Sequence, residues 1–287
     1  MKESRFIWGH WRLLDWNLST KELELLSNQA IDLGITSFDH ADIYGDYQCE
    51  EAFGKVLKQN PEMRNKIELI SKCGIKLLSD KFPDRKTKYY DYSKDYIINQ
   101  VNQSLKNLST DRLDVLLLHR PSPFMDADEV AEAFDLLFEQ GKVKSFGVSN
   151  FLPIEFEQLQ NACNHKLISN QIEISVACLE HFDNNNINFL QTKGISPMAW
   201  SPLSGGDLFN QTNDLTQLLD NLKEKYNASG IDQIAYAWLL KHPSGIRPIL
   251  GSGKLSRLKD AVDSLDINLS LEDWFAIYQA SKGHEVA

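Results

Sequence analysis

Short apolar runs alternate with longer amphipathic runs along the whole chain. The apolar runs predict eight β-strands, at Arg5–Trp8, Thr36–Asp39, Ile67–Lys72, Asp114–His119, Ser145–Val148, Ser169–Ile174, Ser196–Ala199 and Arg247–Leu250. The amphipathic runs predict helices near Thr20–Leu33, Glu50–Lys58, Lys94–Leu108, Asp128–Gln140, Ile154–Ala162, Asn184–Lys193, Leu215–Tyr226, Ile231–Lys241 and Leu255–Ser264. This alternation predicts parallel strands that are joined by helical crossovers.

Helix starts and stops carry recognisable signals. Ser19 precedes an acidic first turn, as the residue that caps a helix should. Gly34, Gly141 and Gly194 each close a predicted helix just before a predicted strand, where a left-handed cap favours glycine. The same join recurs through the chain, which favours a closed repeat of βα units.

The pattern therefore predicts an α/β fold, a single (β/α)8 TIM barrel over residues 1–287 with an extra C-terminal helix at Ser270–Lys282. A doubly wound sheet is the alternative, but its G-x-G-x-x-G signature is absent. Long connections are expected at the C-terminal face of the barrel. The segment Ile75–Ser93 is either a solvated loop or a lid and substrate wall. The long connections are Ile75–Ser93, Arg120–Ala127 and Pro202–Asp214.

Composition narrows the class of protein. Apolar residues make up 42% of the 287 positions and charged residues 24%, and the formal charge of −10 argues against a nucleic-acid or anionic-membrane partner. No apolar stretch reaches the roughly 20 residues of a membrane span, and the N-terminal segment has no signal-peptide core. The four scattered cysteines favour reduced thiols without a disulfide framework or a metal site. We expect a cytoplasmic protein, and a monomer.

Four polar residues lie at or just past the ends of predicted strands: Asp39, Tyr44, Lys72 and His119. A carboxylate, a phenol, an amine and an imidazole at one barrel mouth can relay a proton. The Lys72 ammonium would lower the pKa of the Tyr44 phenol from about 10 toward the working range. Asp42 could be mistaken for the partner of Lys72, but its place in a turn favours capping of the following helix. His40 alternates away from Asp39, which favours a structural role.

The strings FDHADIYG, SKCG, LLLHRP, GVSNF, NQIEIS and GSGKLSRL occur in this order. In combination they resemble the aldo-keto reductases, most closely a bacterial branch of general oxidoreductases, from Gly9 to about Leu265. The resemblance implies a (β/α)8 barrel that binds NADPH and reduces aldehydes and ketones. It identifies the four strand-end residues as a catalytic tetrad, with Tyr44 as the general acid.

The same resemblance implies a set of cofactor-binding residues. Several expectations carry a physical reason: hydrogen bonds fix the nicotinamide face, glycines allow close approach to a pyrophosphate, and cations at a helix start attract a phosphate. The expected contacts are Ser149, Asn150 and Gln171 to the carboxamide, Trp200 and Trp11 as aromatic walls, Ser201, Pro202, Leu203 and Gly206 over the pyrophosphate, Ser252, Gly253, Lys254 and Arg257 at the 2′-phosphate, and Asp260 at the adenine. The chain departs from many family members at Gly251, where they have lysine, and near Ala261, where they have asparagine.

The expected function is NADPH-dependent reduction of a small-molecule aldehyde or ketone to the alcohol. Two alternatives stay open. Lys72 could instead form a Schiff base in an aldolase-like reaction. The chain could also be a non-catalytic nicotinamide-binding regulatory subunit, since some aldo-keto-reductase-like proteins serve as channel partners.

Overall fold

A closed barrel of eight parallel strands forms the centre of the molecule. The computed structural model describes residues 4–287. Residues 1–3, which the predicted domain includes, lie outside the described part. In chain order the barrel strands are Ile7–Gly9, Ser37–Asp39, Glu68–Cys73, Leu113–Leu118, Val143–Ser149, Leu167–Glu173, Met198–Trp200 and Arg247–Leu250. Each pairs in parallel with the next, and the eighth pairs with the first. The TIM-barrel prediction is confirmed, and the doubly wound alternative is wrong.

Helices follow the strands and surround the barrel. The α-helices are Thr20–Asp32, Tyr44–Tyr47, Cys49–Gln59, Lys94–Asn107, Ala127–Glu139, Pro153–Ala162, Glu180–Asp183, Asn186–Thr192, Asp214–Lys225, Ile231–Lys241, Leu255–Asp263 and Leu271–Lys282. Short 3₁₀ turns lie at Leu13–Trp16, Pro61–Lys66, Ser204–Phe209 and Ser264–Asp266. The last α-helix is the predicted C-terminal extension. Within the described residues no helix is long and apolar enough to cross a membrane.

Several predicted elements differ from the structure in their bounds or their form. The seventh strand begins at Met198 rather than Ser196, because Pro197 has no N–H to donate to a ladder. The predicted helix Asn184–Lys193 begins only at Asn186, because its N-cap residue Asn185 adopts a left-handed φ of 63°, a conformation that asparagine tolerates. The segment Ile75–Ser93 is not only a loop: Ile75–Lys76 pairs with Tyr89–Tyr90 in a small antiparallel sheet.

Local capping chemistry agrees with the expected helix ends. Ser19 accepts from the backbone N–H of Glu22, and the Glu22 side chain accepts from the backbone of Ser19, which completes a capping box. Gly34, Gly141 and Gly194 have φ values of 81°, 67° and 68°, so each supplies the left-handed turn that ends a helix. These turns direct the chain back into the next strand.

The barrel interior is packed rather than hollow. Its side chains form a small apolar cluster that is separate from the larger core between strands and helices; the members are Ile7, Ile70, Val115, Leu117, Met198 and Ile249. Toward the start of the strands, Arg247 is buried and donates to Ser37 Oγ at 2.7 Å and to Glu68 Oε2 at 3.3 Å. The polar side chains at the opposite, carboxyl face therefore lie above a packed apolar barrel interior.

The C-terminal helix is fixed by a reciprocal tryptophan pair. Trp238 and Trp274 stack at 4.8 Å between ring centroids, and each indole N–H donates to the other residue's backbone carbonyl at 3.0 Å. Stacking and two buried hydrogen bonds hold this helix against the helices that precede the eighth strand.

Candidate active site

A cavity of about 630 Å³ opens at the carboxyl ends of the barrel strands. This is the face on which (β/α)8 barrels carry their active sites. The predicted site residues that line it are Trp11, Asp39, Tyr44, His119, Ser149, Asn150, Gln171, Trp200, Ser201, Pro202, Leu203, Gly206, Ser252 and Arg257. Lys72 joins them from the barrel wall through its hydrogen bonds. The cavity wall does not include Gly253, Lys254 or Asp260.

Lys72 is the centre of the polar group at the mouth. Its ammonium donates to both Asp39 oxygens at 2.7 and 2.8 Å, to the His40 carbonyl at 2.8 Å and to Tyr44 Oη at 3.0 Å. The side chain of Lys72 is fully buried and that of Asp39 almost fully. An ammonium has three N–H donors, so these four acceptor atoms use all of them. Lys72 therefore has one fixed position beside the phenol.

The charge states follow from burial and from this ion pair. Burial alone lowers the pKa of Lys72, but Asp39 and Tyr44 together outweigh it, so the pKa is raised and the ammonium keeps its charge. Burial raises the pKa of Tyr44, and the lowering effect of Lys72 does not overcome it. The expectation of a net lowered phenol pKa is wrong in this structure, because desolvation was not visible in the sequence. Tyr44 holds its proton at neutral pH.

Backbone geometry positions Tyr44. The residue follows the second strand closely, and the chain then turns through left-handed φ values at Gly45, Asp46 and Tyr47, of 57°, 52° and 64°. Such values are unusual for residues with side chains and concentrate at functional sites. The turn places the Tyr44 ring against the His119 ring, with centroids 5.8 Å apart at an angle of 76°.

His119 is an uncharged imidazole. It lies one residue beyond the fourth strand, and its backbone N–H donates to the Cys73 carbonyl at 3.0 Å. Burial holds the pKa of His119 well below its usual value, and the charges of Lys72, Arg120 and Lys88 lower it further. No described residue bonds to its Nδ1. A neutral ring can hydrogen-bond a carbonyl oxygen without competing with Tyr44 as the proton donor.

Asp42 and His40 lie behind the cavity. Asp42 does not cap a helix, contrary to expectation: its Oδ2 accepts from Gln100 Nε2 at 2.8 Å, and its backbone N–H donates to the Lys72 carbonyl. The side chain of His40 is buried and stacks on His10 at 4.2 Å, while its carbonyl helps to hold Lys72. Position in the turn did not reveal how deeply Asp42 would be buried.

Asp42 should make the protein less stable as the pH rises. Burial raises its pKa from 3.8 to about 8. Between these values the folded state binds a proton that the unfolded chain has lost, so stability falls with pH, by at most about 1.4 kcal/mol per unit. We expect Asp42→Asn to be more stable than the wild type at pH ~8 and nearly equal at pH ~4, measured by urea unfolding. An equal difference at both pH values would contradict the assignment.

The ends of the fifth, sixth and seventh strands are joined by side-chain hydrogen bonds. Ser149 Oγ donates to the Gln171 carbonyl at 2.9 Å and accepts from Asn150 Nδ2 at 2.7 Å. Trp200 Nε1 donates to Asn150 Oδ1 at 2.9 Å. Gln171 Nε2 donates to Asp39 Oδ1 at 2.9 Å, which links this group to the Lys72 ion pair. The three residues expected at the carboxamide and the aromatic Trp200 therefore form one connected group, which is linked to the ion pair beside Tyr44.

The loop after the seventh strand allows a ligand to approach its backbone. Ser201 and Ser204 have φ values of 50° and 52°, and Gly205 and Gly206 have 68° and 107°. At Gly206 a Cβ would meet no atom within 4 Å, so the glycine is required by conformation and not by packing. The loop leaves room over its backbone.

The turn after the eighth strand is only partly as expected. Ser252 and Arg257 line the cavity, and Arg257 pairs with the buried Asp232 at 3.3 Å. Gly253 packs on Trp16, where a Cβ would come within 2.4 Å of the indole. Lys254 is the N-cap residue of the helix that follows, and it does not line the cavity.

Three cations that line the cavity, Arg12, Lys88 and Arg120, were not among the predicted site residues, although Lys88 belongs to the segment that was considered as a substrate wall. Arg12 donates to the Gly205 carbonyl at 3.3 Å and so joins the first loop to the glycine loop. Arg120 follows His119 directly, and its guanidinium lies 5.6 Å from the Trp200 ring centroid. The LLLHRP string contained Arg120, but only the fold shows that this side chain faces the cavity.

The closed barrel and the polar side chains at its strand ends define a (β/α)8-barrel protein whose candidate site lies on the carboxyl face. The chain belongs to the aldo/keto reductase family, since residues 5–282 match the model described as "Aldo/keto reductase family". Among its relatives, the uncharacterized oxidoreductase YcsN of Bacillus subtilis (strain 168) is 46% identical over 99% of this chain and 96% of that protein. A 6-dehydroglucose reductase of Agrobacterium fabrum is 40% identical over 99% and 96%. The resemblance is confirmed.

A solved structure has the same fold. The thermostable aldo-keto reductase Tm1743, in complex with the inhibitor epalrestat, superimposes with a TM-score of 0.80 over 97% of this chain and 95% of that one. At 23% identity the likeness concerns the fold.

Proposed function

We propose that this protein is an NADPH-dependent reductase of aldehydes or ketones, with Tyr44 as the general acid. The observation that carries the proposal is the contact of Lys72 Nζ with both Asp39 and Tyr44 Oη, beside a neutral His119 and a connected Ser149–Asn150–Gln171–Trp200 group. The cavity therefore contains a proton donor and a set of amide-binding groups. The charge partner of the donor, Lys72, reaches it from the barrel wall.

The protein's side chains act on the carbonyl oxygen. Tyr44 donates its proton to that oxygen, and the Lys72 ammonium stabilises the phenolate that remains. Asp39 keeps Lys72 charged and in place. His119, with a free ring nitrogen, orients the oxygen by a hydrogen bond. The raised pKa of Tyr44 suits the reducing direction, because the acid must be protonated before each turnover.

The cavity fits a nicotinamide coenzyme, which supplies the hydride when it is bound. Within the described part of the chain, no hydrogen bond reaches Gln171 Oε1, so this atom can accept from a carboxamide N–H. The Trp200 indole offers a stacking surface. The open backbone at Gly206, with Arg12 nearby, suits a pyrophosphate, and Arg257 suits a further phosphate.

The aldolase alternative is not supported by the charge of Lys72. A Schiff-base lysine must become a neutral amine, usually through a lowered pKa. Burial lowers the pKa of Lys72, but Asp39 and Tyr44 together raise it by more, so the net change is upward. An ammonium nitrogen has no lone pair with which to attack a carbonyl carbon. The three N–H bonds of Lys72 are also donated within the protein, which favours this protonated form.

The direct test is NADPH oxidation with a panel of aldehydes and ketones. The panel includes 6-dehydroglucose, because the Agrobacterium relative is named a reductase of that compound. We expect NADPH-dependent formation of an alcohol with at least one member. Tight NADPH binding without turnover of any member would favour the regulatory-subunit alternative.

Arg257 should set the preference for the phosphorylated coenzyme. Its side chain is 54% exposed at the cavity edge, so it can turn toward a 2′-phosphate without leaving a buried void. We expect Arg257→Gln to raise the Kd of NADPH by about tenfold or more, the effect of one charge-assisted hydrogen bond, with little change for NADH. Coenzyme fluorescence measures both constants. Lys259→Gln, which removes an exposed cation from the same helix, is the control; equal effects of the two variants would remove Arg257 from this role.

A further inference from the structure

The cations that line the cavity divide into two pairs. Arg12 and Arg257 each have a partner, the Gly205 carbonyl and the Asp232 carboxylate. For the side chains of Arg120 and Lys88 no described residue provides a hydrogen bond, and no described carboxylate lies within 4.0 Å of their nitrogens. Two cations of the cavity wall therefore have no hydrogen bond or ion pair from the described residues, in a protein whose formal charge is −10.

The second pair lies at the reacting end of the cavity. Arg120 directly follows His119, and its guanidinium lies against the Trp200 ring. Both Arg120 and Lys88 are close enough to His119 for their charges to lower its pKa, after the larger effect of burial. The pair is therefore near the carbonyl that Tyr44 and His119 would hold.

The backbone around Arg120 is fixed. Its N–H donates to Tyr92 Oη at 3.0 Å, and its carbonyl accepts from the same hydroxyl at 2.5 Å. Tyr92 is buried, so the residue is held on a rigid support. Lys88 belongs to the hairpin segment, of which Ile75 and Leu77 also line the cavity. The cavity wall therefore carries a guanidinium on a fixed backbone and a second cation on the hairpin segment.

We propose that Arg120 and Lys88 select carbonyl substrates that carry an anionic oxygen group, such as a carboxylate, close to the aldehyde or ketone. The planar guanidinium donates paired hydrogen bonds to such a group, and Lys88 adds a point charge. The carboxylate of Glu173 feels the charge of Arg120, but it is not part of the cavity wall and forms no ion pair with Arg120. The inference deepens the proposed function and rests on it.

Matched substrates test the selection. The pairs are 3- and 4-carboxybenzaldehyde and their methyl esters, which differ in charge at the same ring. We expect the wild type to favour the acids. Arg120→Gln should lower kcat/KM for the acids by between about tenfold and about a hundredfold, the range of one charge-assisted hydrogen bond, and change the esters by less than about threefold. Lys88→Gln should act in the same direction but more weakly.

Lys86→Gln is the charge control, since Lys86 is an exposed cation on the same segment that does not line the cavity. We expect it to leave the preference for acids intact. Three results would overturn the inference: a wild type that prefers the esters, an Arg120→Gln variant that lowers acid and ester turnover equally, or one that mainly raises the Kd of NADPH. The last result would assign the cation to the coenzyme.

A binding measurement separates this inference from the proposed function. If the wild type reduces neither member of a pair, the reductase proposal is in error for these aldehydes. The Kd of 4-(hydroxymethyl)benzoate, followed through tryptophan fluorescence, then decides the inference alone. Weaker binding in Arg120→Gln by about tenfold supports an anion site, and unchanged binding overturns it.

Discussion

Tyr44→Phe is expected to lower kcat for carbonyl reduction by roughly 100- to 10,000-fold, the usual contribution of a positioned general acid. The variant keeps the ring that packs beside His119 and removes only the hydroxyl. Lys72 retains Asp39 and the His40 carbonyl as partners, so the buried charge stays compensated. The Kd of NADPH and the free energy of unfolding should therefore change little. Single-turnover kinetics with saturating NADPH measures the loss at the chemical step.

A second tyrosine provides the matched control. Tyr96 also has a buried hydroxyl, which has no hydrogen-bond partner among the described residues, and it does not line the cavity. Tyr96→Phe should leave kcat within about twofold of the wild type. Retained turnover in Tyr44→Phe would remove Tyr44 as the acid, and an equal loss in Tyr96→Phe would show that packing rather than proton donation is being measured.

Lys72→Met should cause two separate losses. Without the ammonium, the phenolate of Tyr44 is not stabilised, so kcat should fall by a factor on the order of a hundred or more. In addition, the Asp39 carboxylate is left buried without its partner, and breaking such a pair costs about 3–5 kcal/mol of unfolding free energy. Urea unfolding and steady-state kinetics measure the two effects independently.

The double variant Lys72→Met with Asp39→Asn separates stability from catalysis. A neutral amide at position 39 has no charge to compensate and can still accept from Gln171. We expect the double variant to regain most of the lost stability and none of the lost turnover. Recovery of both would mean that Lys72 serves the fold and not the reaction. Asp42→Asn, at the buried carboxylate behind the site, should keep its turnover.

The sequence contained enough information for the barrel and for the positions of the strand-end residues. Short apolar runs that alternate with amphipathic runs, and glycines such as Gly141, define βα units, and the carboxyl ends of parallel strands meet at one face. The sequence alone therefore predicts that Asp39, Lys72 and His119 lie together. The position of Arg120 in the cavity could not be predicted in this way, because it depends on where the chain turns after the strand.

The electrostatics of the site were not predictable from residue types alone. Lys72 was expected to lower the pKa of Tyr44, but desolvation at the barrel mouth is the larger effect and raises it. Asp42 resembled a turn residue and is a buried acid with a pKa of about 8. Both outcomes depend on how completely neighbouring helices exclude water. The spacing of residues along the chain does not indicate how completely water is excluded from a side chain.

The most direct test of the account follows a deuterium atom. NADPH that carries deuterium at the transferred position of nicotinamide C4 is incubated with 4-carboxybenzaldehyde and the wild-type protein, and the alcohol is analysed by mass spectrometry and NMR. The account predicts one deuterium at the former carbonyl carbon for the wild type and a rate lowered at least about 100-fold for Tyr44→Phe. An alcohol formed without deuterium, or at equal rates by both proteins, would contradict it.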